Sequence, residues 1–176
     1  TDPATDPAAI PEPKETIDPS YRVTSPTTFG SSDYKLVFES NADGKVIIKK
    51  GSQTVEEADV LAGEALDYKT TLSTGQNQFE VTFTPTEGFE TADGAILSTY
   101  ETKTQNFTVT YRDISTSTNT IYVTPDGKSS GKGTKASPLD IYTAVAYAKA
   151  GQTIVLKDGT YHMTGKLKVA RGVDGT

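Results

Sequence analysis

Residues 33–50 read Asp33-Tyr34-Lys35-Leu36-Val37-Phe38-Glu39-Ser40-Asn41-Ala42-Asp43-Gly44-Lys45-Val46-Ile47-Ile48-Lys49-Lys50. In the first half Tyr34, Leu36 and Phe38 alternate with Lys35, Val37 and Glu39. Period two marks a strand with one apolar face, because successive side chains leave a strand on opposite sides. The second half, Lys45 to Lys50, is a further short apolar run. Between them the polar break Ser40–Gly44 ends in Asp-Gly, a hairpin signal between alternating runs. Pairing Glu39 with Lys45 across this break sets Val37 opposite Ile47 and Lys35 opposite Lys49. Leu36, Phe38, Val46 and Ile48 then share the core face.

The same pattern recurs downstream. Leu66, Tyr68 and Leu72, the break Ser73-Thr74-Gly75-Gln76-Asn77, and Phe79, Val81 and Phe83 closed by Pro85 predict a second hairpin. Phe107, Val109 and Tyr111 mark a last strand, while Val55 to Ala65 reads equally as a helical turn or a strand. Five or more short strands, each with one apolar face, must bury those faces against one another. The simplest solution is an all-β fold, an antiparallel β-sandwich over residues 21–115.

Composition changes on both sides. Residues 1–20 hold five of the nine prolines and repeat Thr-Asp-Pro at Thr1 and Thr5. Proline fixes φ and removes amide donors, so this segment reads as a semi-rigid linker without a core. Residues 116–176 read differently again. Ile121-Tyr122-Val123 is a short strand ending in Pro125-Asp126-Gly127. Ser137 is the expected N-cap of a helix with Pro138 in its first turn, Ile141, Ala144, Val145 and Ala148 forming its apolar stripe, and Gly151 ending it. Thr153–Leu156 and Thr160–Met163 read as strands around the Lys157-Asp158-Gly159 turn.

Three stretches of this last segment carry a resemblance. Ile121-Tyr122-Val123-Thr124-Pro125-Asp126-Gly127, Gly133-Thr134-Lys135-Ala136-Ser137-Pro138, and Gly151-Gln152-Thr153-Ile154-Val155-Leu156-Lys157-Asp158-Gly159-Thr160-Tyr161 together resemble the opening of a right-handed parallel β-helix. The likeness is to secreted polysaccharide lyases, the family 9 pectate lyases above all. It implies a truncated start of such a domain, with calcium ligands and catalytic lysine on later rungs, so Lys166 and Lys168 receive no catalytic role. A sandwich between a Pro-rich linker and a pectate-lyase-like start is similar to modular pectinases in which a pectin-binding module of family 77 precedes the lyase. The resemblance implies a secreted, non-catalytic carbohydrate-binding module of a larger protein.

Composition bounds the remaining classes. The chain has 176 residues, no Cys, no Trp and a formal net charge of -6. Thiol chemistry and disulfides are excluded, no run of 18 apolar residues exists to span a membrane, and net acidity without a basic run argues against nucleic acid. Neither a signal peptide nor an initiator Met is present, and the chain opens within the linker-like segment. No Ser-His-Asp set, metal cluster or phosphate loop is visible, so no cofactor and no metal site are expected; the chain is also expected to be a monomer. His162 follows a turn and is read as structural. Asn41–Gly44 and Thr91–Gly94 lack the carboxylate density of a calcium loop and are read as turns.

The absence of Trp makes a neutral crystalline glucan a poor ligand. Homogalacturonan of low methyl esterification carries a carboxylate on each free uronate, which ammonium groups hold by charge-assisted hydrogen bonds. The hairpin reading makes Lys35 and Lys49 neighbours on an outer face, with Lys69 also outward. Lys50 and Lys103 share the parity of core residues and must lie at strand ends or beyond a bulge. Residues 33–113 carry six Lys and one Arg against fourteen acids, so binding a polyanion requires the charges to be segregated. Glu56, Glu57, Asp59, Glu64, Glu87, Glu90 and Asp93 are expected in connecting segments. The bland alternative is that these lysines are solvated residues that blunt strand edges. The sandwich is then a structural spacer or docking unit of a modular lyase that binds no sugar, instead of a module that targets the lyase to plant cell walls.

Overall fold

A computed structural model describes residues 19–86, 88–90, 96–114 and 116–169. The linker expected at residues 1–20 falls, apart from its last two residues, outside the described residues, as does Thr91–Gly94.

The strands are β1 (Tyr21–Thr24), β2 (Thr28–Phe29), β3 (Asp33–Ser40), β4 (Gly44–Lys50), β5 (Gln53–Val60), β6 (Ala65–Thr71), β7 (Gly75–Pro85), β8 (Gly88–Glu90), β9 (Ile96–Thr99) and β10 (Lys103–Tyr111). β11 (Thr120–Val123), α1 (Ile141–Tyr147) and β12 (Thr153–Leu156) follow. Two sheets face each other: β1-β3-β6, and β2-β10-β7-β4-β5. All pairings in them are antiparallel except β2 with β10. β8 and β9 form a separate antiparallel pair.

The alternation read from the sequence is the burial pattern observed. Tyr34, Leu36 and Phe38 of β3 meet Val46, Ile48, Phe79, Val81, Phe83 and Val109 across the gap between sheets. Burying an aliphatic or aromatic side chain of this size contributes about 1.5–3 kcal/mol. Aromatic pairs knit the two layers: Tyr34 lies 5.5 Å from Phe79, and Phe38 5.5 Å from Phe83, between ring centroids.

Neither expected hairpin forms. β3 pairs with β1 and β6, and β4 pairs with β5 and β7, so Ser40–Gly44 carries the chain from one sheet to the other. Gly44 is needed for packing here rather than for turn geometry. A Cβ on it would lie 2.4 Å from the Phe83 ring, and its φ is not in the left-handed region. Asp43 spends its carboxylate on the Ala62 amide at 2.7 Å. Likewise β6 and β7 belong to different sheets, and the Asn77 side chain closes the crossing by bonding the Ser73 amide and carbonyl. The hairpin the sequence concealed joins β4 and β5 through Gly51-Ser52. Gly51 has φ 61°, at the first central position, where a type II′ turn calls for glycine. The ambiguous Val55–Ala65 stretch thus opens within a strand.

Residues 116–169 build a second core from Ile121, Val123, Leu139 and Ala144, together with Ile114 from the connecting segment. β11 and β12 are parallel and in register, with Ile121 beside Ile154 and Tyr122 beside Val155. α1 lies in the crossover between them. Its N-cap is Asp140 rather than Ser137: the carboxylate accepts from the Thr143 amide at 2.8 Å and its hydroxyl at 2.6 Å. Ser137 instead closes a tight turn, its amide bonded to Thr134. The helix ends at Tyr147, before Gly151. Thr160–Met163 is not a strand; the Tyr161 hydroxyl lies 2.8 Å from the Lys157 carbonyl oxygen and 3.0 Å from that of Val123, and its one proton serves this pair of acceptors where the chain turns back.

Candidate ligand-binding surface

The sheet arrangement redistributes the lysines. Lys35 and Lys49 are not neighbours: they lie on the outer faces of opposite sheets, because β3 and β4 do. Lys35 faces Lys69 across the β3–β6 pair, on the outer face of the three-stranded sheet. Its ammonium bonds Asp67 at 3.1 Å. Arg22 of β1 stands on the same face, opposite Glu39 and ion-paired with it; the sequence reading passed over it. Lys69 is exposed and has no ion-pair partner among the described residues.

On the other sheet Lys49 pairs with Glu80 at 2.8 Å, its direct neighbour in β7. Lys45 bonds Glu57 at 3.0 Å, and this hydrogen bond, with the nearby Asp59 charge, holds the Lys45 ammonium above its ordinary pKa. Glu56, Glu57 and Asp59 therefore do not lie in connecting segments; they are on β5, beside lysine-bearing β4. That proximity neutralises the strand instead of segregating its charge. Lys50 follows a bulge after Ile48 and donates to the Thr71 carbonyl at 2.6 Å. Lys103 is the first residue of β10 and donates to the Pro19 carbonyl. Both stand where their core parity required.

The aromatics of β1, β2, β3, β6, β7 and β10 all join the sandwich core or pack against it. A groove of about 450 Å³ opens between Tyr21, Arg22, Glu39 and Gly63, and none of the five candidate lysines lines it. Asn41 uses its carbonyl to accept from the Ser20 amide at 2.6 Å, so Asn41–Gly44 acts as connecting structure. No group of three or more potential metal-ligating side chains occurs among the described residues. No helix there is long and apolar enough to cross a membrane.

The sandwich and the unit after it are closely joined. Arg112, just past β10, donates through its two terminal nitrogens to the carbonyls of Ser129 and Gly131. Lys149 pairs with Asp113 at 2.7 Å, and the Gln152 amide donates to the Ile114 carbonyl. Gly30, between β2 and β3, lies against the backbone of Tyr147 and Ala148. Only the acidic and basic residue types of this joint were visible in the sequence; the carbonyls that receive Arg112 carry no sequence signal.

Comparison with known proteins follows the same division. The family model of the pectate disaccharide-lyase central Ig-like domain matches residues 22–109. Pectate lyase L of Thermoclostridium stercorarium is 37% identical over 166 residues, covering 93% of this chain and 13% of that protein. Pectate disaccharide-lyase of Dickeya chrysanthemi is 29% identical over 165 residues, covering 93% of this chain and 21% of its own length. The chain thus spans only 13% and 21% of the lengths of these two curated relatives. No solved structure matches it with significance.

Proposed function

The chain belongs to the family of the pectate disaccharide-lyase central Ig-like domain, and from that premise we propose that its sandwich is a non-catalytic brace within a modular, secreted pectinolytic protein. The observation carrying this reading is the joint. A sandwich that merely tethers a neighbour needs no contacts across the boundary. Here a guanidinium clamps two loop carbonyls, a lysine and an aspartate pair across it, and a glycine admits the helix backbone. Hydrogen bonds from charged donors contribute about 1.5–3 kcal/mol each.

Residues 116–169, in this reading, open a right-handed parallel β-helix. The support is the in-register parallel pair with its helical crossover, and the pectate lyases that align over nearly the whole chain. No cofactor enters the role. The test is hydrogen exchange on the full chain with Arg112→Ala. Amides of β11, α1 and β12 should exchange at least about tenfold faster, a shift of 1.4 kcal/mol, while β4 and β7 keep their protection. Unchanged protection over residues 120–156 would overturn the bracing role.

A second reading, pectin binding that targets an attached lyase to plant cell walls, is favoured by one observation. Lys35 and Lys69 oppose each other across β3–β6 with Arg22 on the same face; Asp67 and Glu39 engage Lys35 and Arg22, and the exposed Lys69 beside them is placed to take a further carboxylate. The proposed ligand is homogalacturonan of low methyl esterification. It should retard the chain in affinity electrophoresis without calcium, and Lys35→Ala with Lys69→Ala should abolish the retardation. Unshifted migration of the wild-type chain would sink this reading.

A further inference from the structure

Charge is divided unevenly along the chain. Residues 21–115 carry eight basic and fourteen acidic side chains, a net of -6, whereas residues 116–176 carry eight basic and four acidic, a net of +4. Most of the lysines divide the same way. In the sandwich Lys35, Lys45 and Lys49 are held by carboxylates and Lys50 and Lys103 by carbonyls, with Lys69 the exception. In the following unit Lys128, Lys132 and Lys157 have no ion-pair partner among the described residues, and Lys149 alone is committed, to the joint.

The parallel pair gives some of these cations a shared surface. Ile121 and Val123 are fully buried, so Tyr122 between them points out of the core. Val155 stands beside it in register and is exposed, and neighbouring strands are about 4.8 Å apart. The turn closed by Thr134 and Ser137 brings Lys135 over the Tyr122 ring, its Nζ 5.3 Å from the centroid. On the opposite flank Lys157 leaves β12 with its amide bonded to the Val123 carbonyl, at 2.9 Å. An aromatic face, an adjacent apolar side chain and the Lys135 ammonium share one outer wall, and Lys157, two residues beyond Val155, has the parity of that same face.

We propose that this wall, Tyr122 and Val155 flanked by Lys135 and Lys157, binds a uronate unit of an anionic polysaccharide. The C–H face of the sugar ring lies on Tyr122 and Val155, where it loses water as any apolar surface does. The carboxylate takes charge-assisted hydrogen bonds from the ammonium groups. The choice of a uronate rests on the pectinolytic reading above; the cationic wall itself does not. This surface is distinct from the Lys35–Lys69 face.

The experiment is calorimetric titration of the full chain with an unesterified galacturonate hexamer, at low salt and without calcium. Lys135→Ala with Lys157→Ala should weaken binding at least about tenfold, whereas Lys45→Ala, on the five-stranded sheet of the sandwich, should leave it unchanged. The fully methyl-esterified hexamer should bind more weakly than the free acid, and binding should fall with salt. The inference is overturned by absence of binding, by indifference to the Lys135/Lys157 double substitution, or by an equal loss from Lys166→Ala with Lys168→Ala, which would signal diffuse charge only. None of these outcomes touches the brace, which stands or falls on the Arg112→Ala exchange data. Circular dichroism of each variant checks that the fold is retained.

Discussion

Gly30 and Tyr147 meet so closely that a Cβ on Gly30 would lie 1.9 Å from the Tyr147 carbonyl oxygen and 2.7 Å from its carbonyl carbon. Both are backbone atoms of a helix end, so no side-chain rotation relieves the overlap. Gly30→Ala should therefore part the sandwich from α1 at a cost of about 1–3 kcal/mol, the usual range for overpacking. Urea unfolding measures it, and Gly165→Ala is the control. A Cβ there meets nothing within 4 Å, so that midpoint should not move.

Arg112 tests the same joint by chemistry instead of volume. Its guanidinium serves the Ser129 and Gly131 carbonyls together, a task suited to a planar fork and not to a single ammonium. Arg112→Lys should recover no more than half of the stability lost in Arg112→Ala, itself about 1.5–3 kcal/mol. Equal stability of wild type and Arg112→Lys would show that charge alone suffices.

The sheet assignment can be checked by reversing charges. In a β3–β4 hairpin Lys49→Glu would sit opposite Lys35 and stabilise the protein. In the observed arrangement Lys49 faces Glu80, so Lys49→Glu should destabilise by about 0.2–1 kcal/mol, while Lys69→Glu, opposite Lys35, should stabilise by a similar amount. Thermal melts at low salt read both signs, and a stabilised Lys49→Glu would restore the hairpin.

Why the strands were legible and their partners were not follows from what alternation encodes. Tyr34, Leu36, Phe38, Val46, Ile48, Phe79, Val81 and Phe83 announced their burial by parity alone, and each is buried. Parity states which face is inward. A strand in either sheet of a sandwich has the same signature, so it is silent on neighbours. Asp43-Gly44 misled because glycine answers two demands, left-handed backbone and close approach, and Phe83 imposes the second. The lysines repeat the lesson. Their outward direction was readable, but Asp67, Glu57 and Glu80 reach them across strands whose order the sequence does not state. Tyr122 and Lys135 meet only because a loop folds back beside β11.

Tyr34 predicts how the fold yields to alkali. Its phenol is buried between the sheets and bonded to the Ser25 hydroxyl. Burial, against the smaller opposing effect of that bond, lifts its pKa from 10.0 to about 12. A raised folded value means that the native state holds the proton after the unfolded chain has released it. The contribution is fully present below pH 10 and is lost as pH rises towards 12. Tyr34→Phe removes the ionisable group together with the hydrogen bond, so it should cost about 0.5–1.5 kcal/mol at neutral pH and flatten the alkaline decline. Lys45 and Tyr21, both with raised values, push in the same direction and remain in the variant, so some decline persists. Urea midpoints at pH 7, 9, 10 and 11 should bring the two proteins together as pH rises. A constant gap across that range would mean that Tyr34 ionises no later in the folded chain than in the unfolded one.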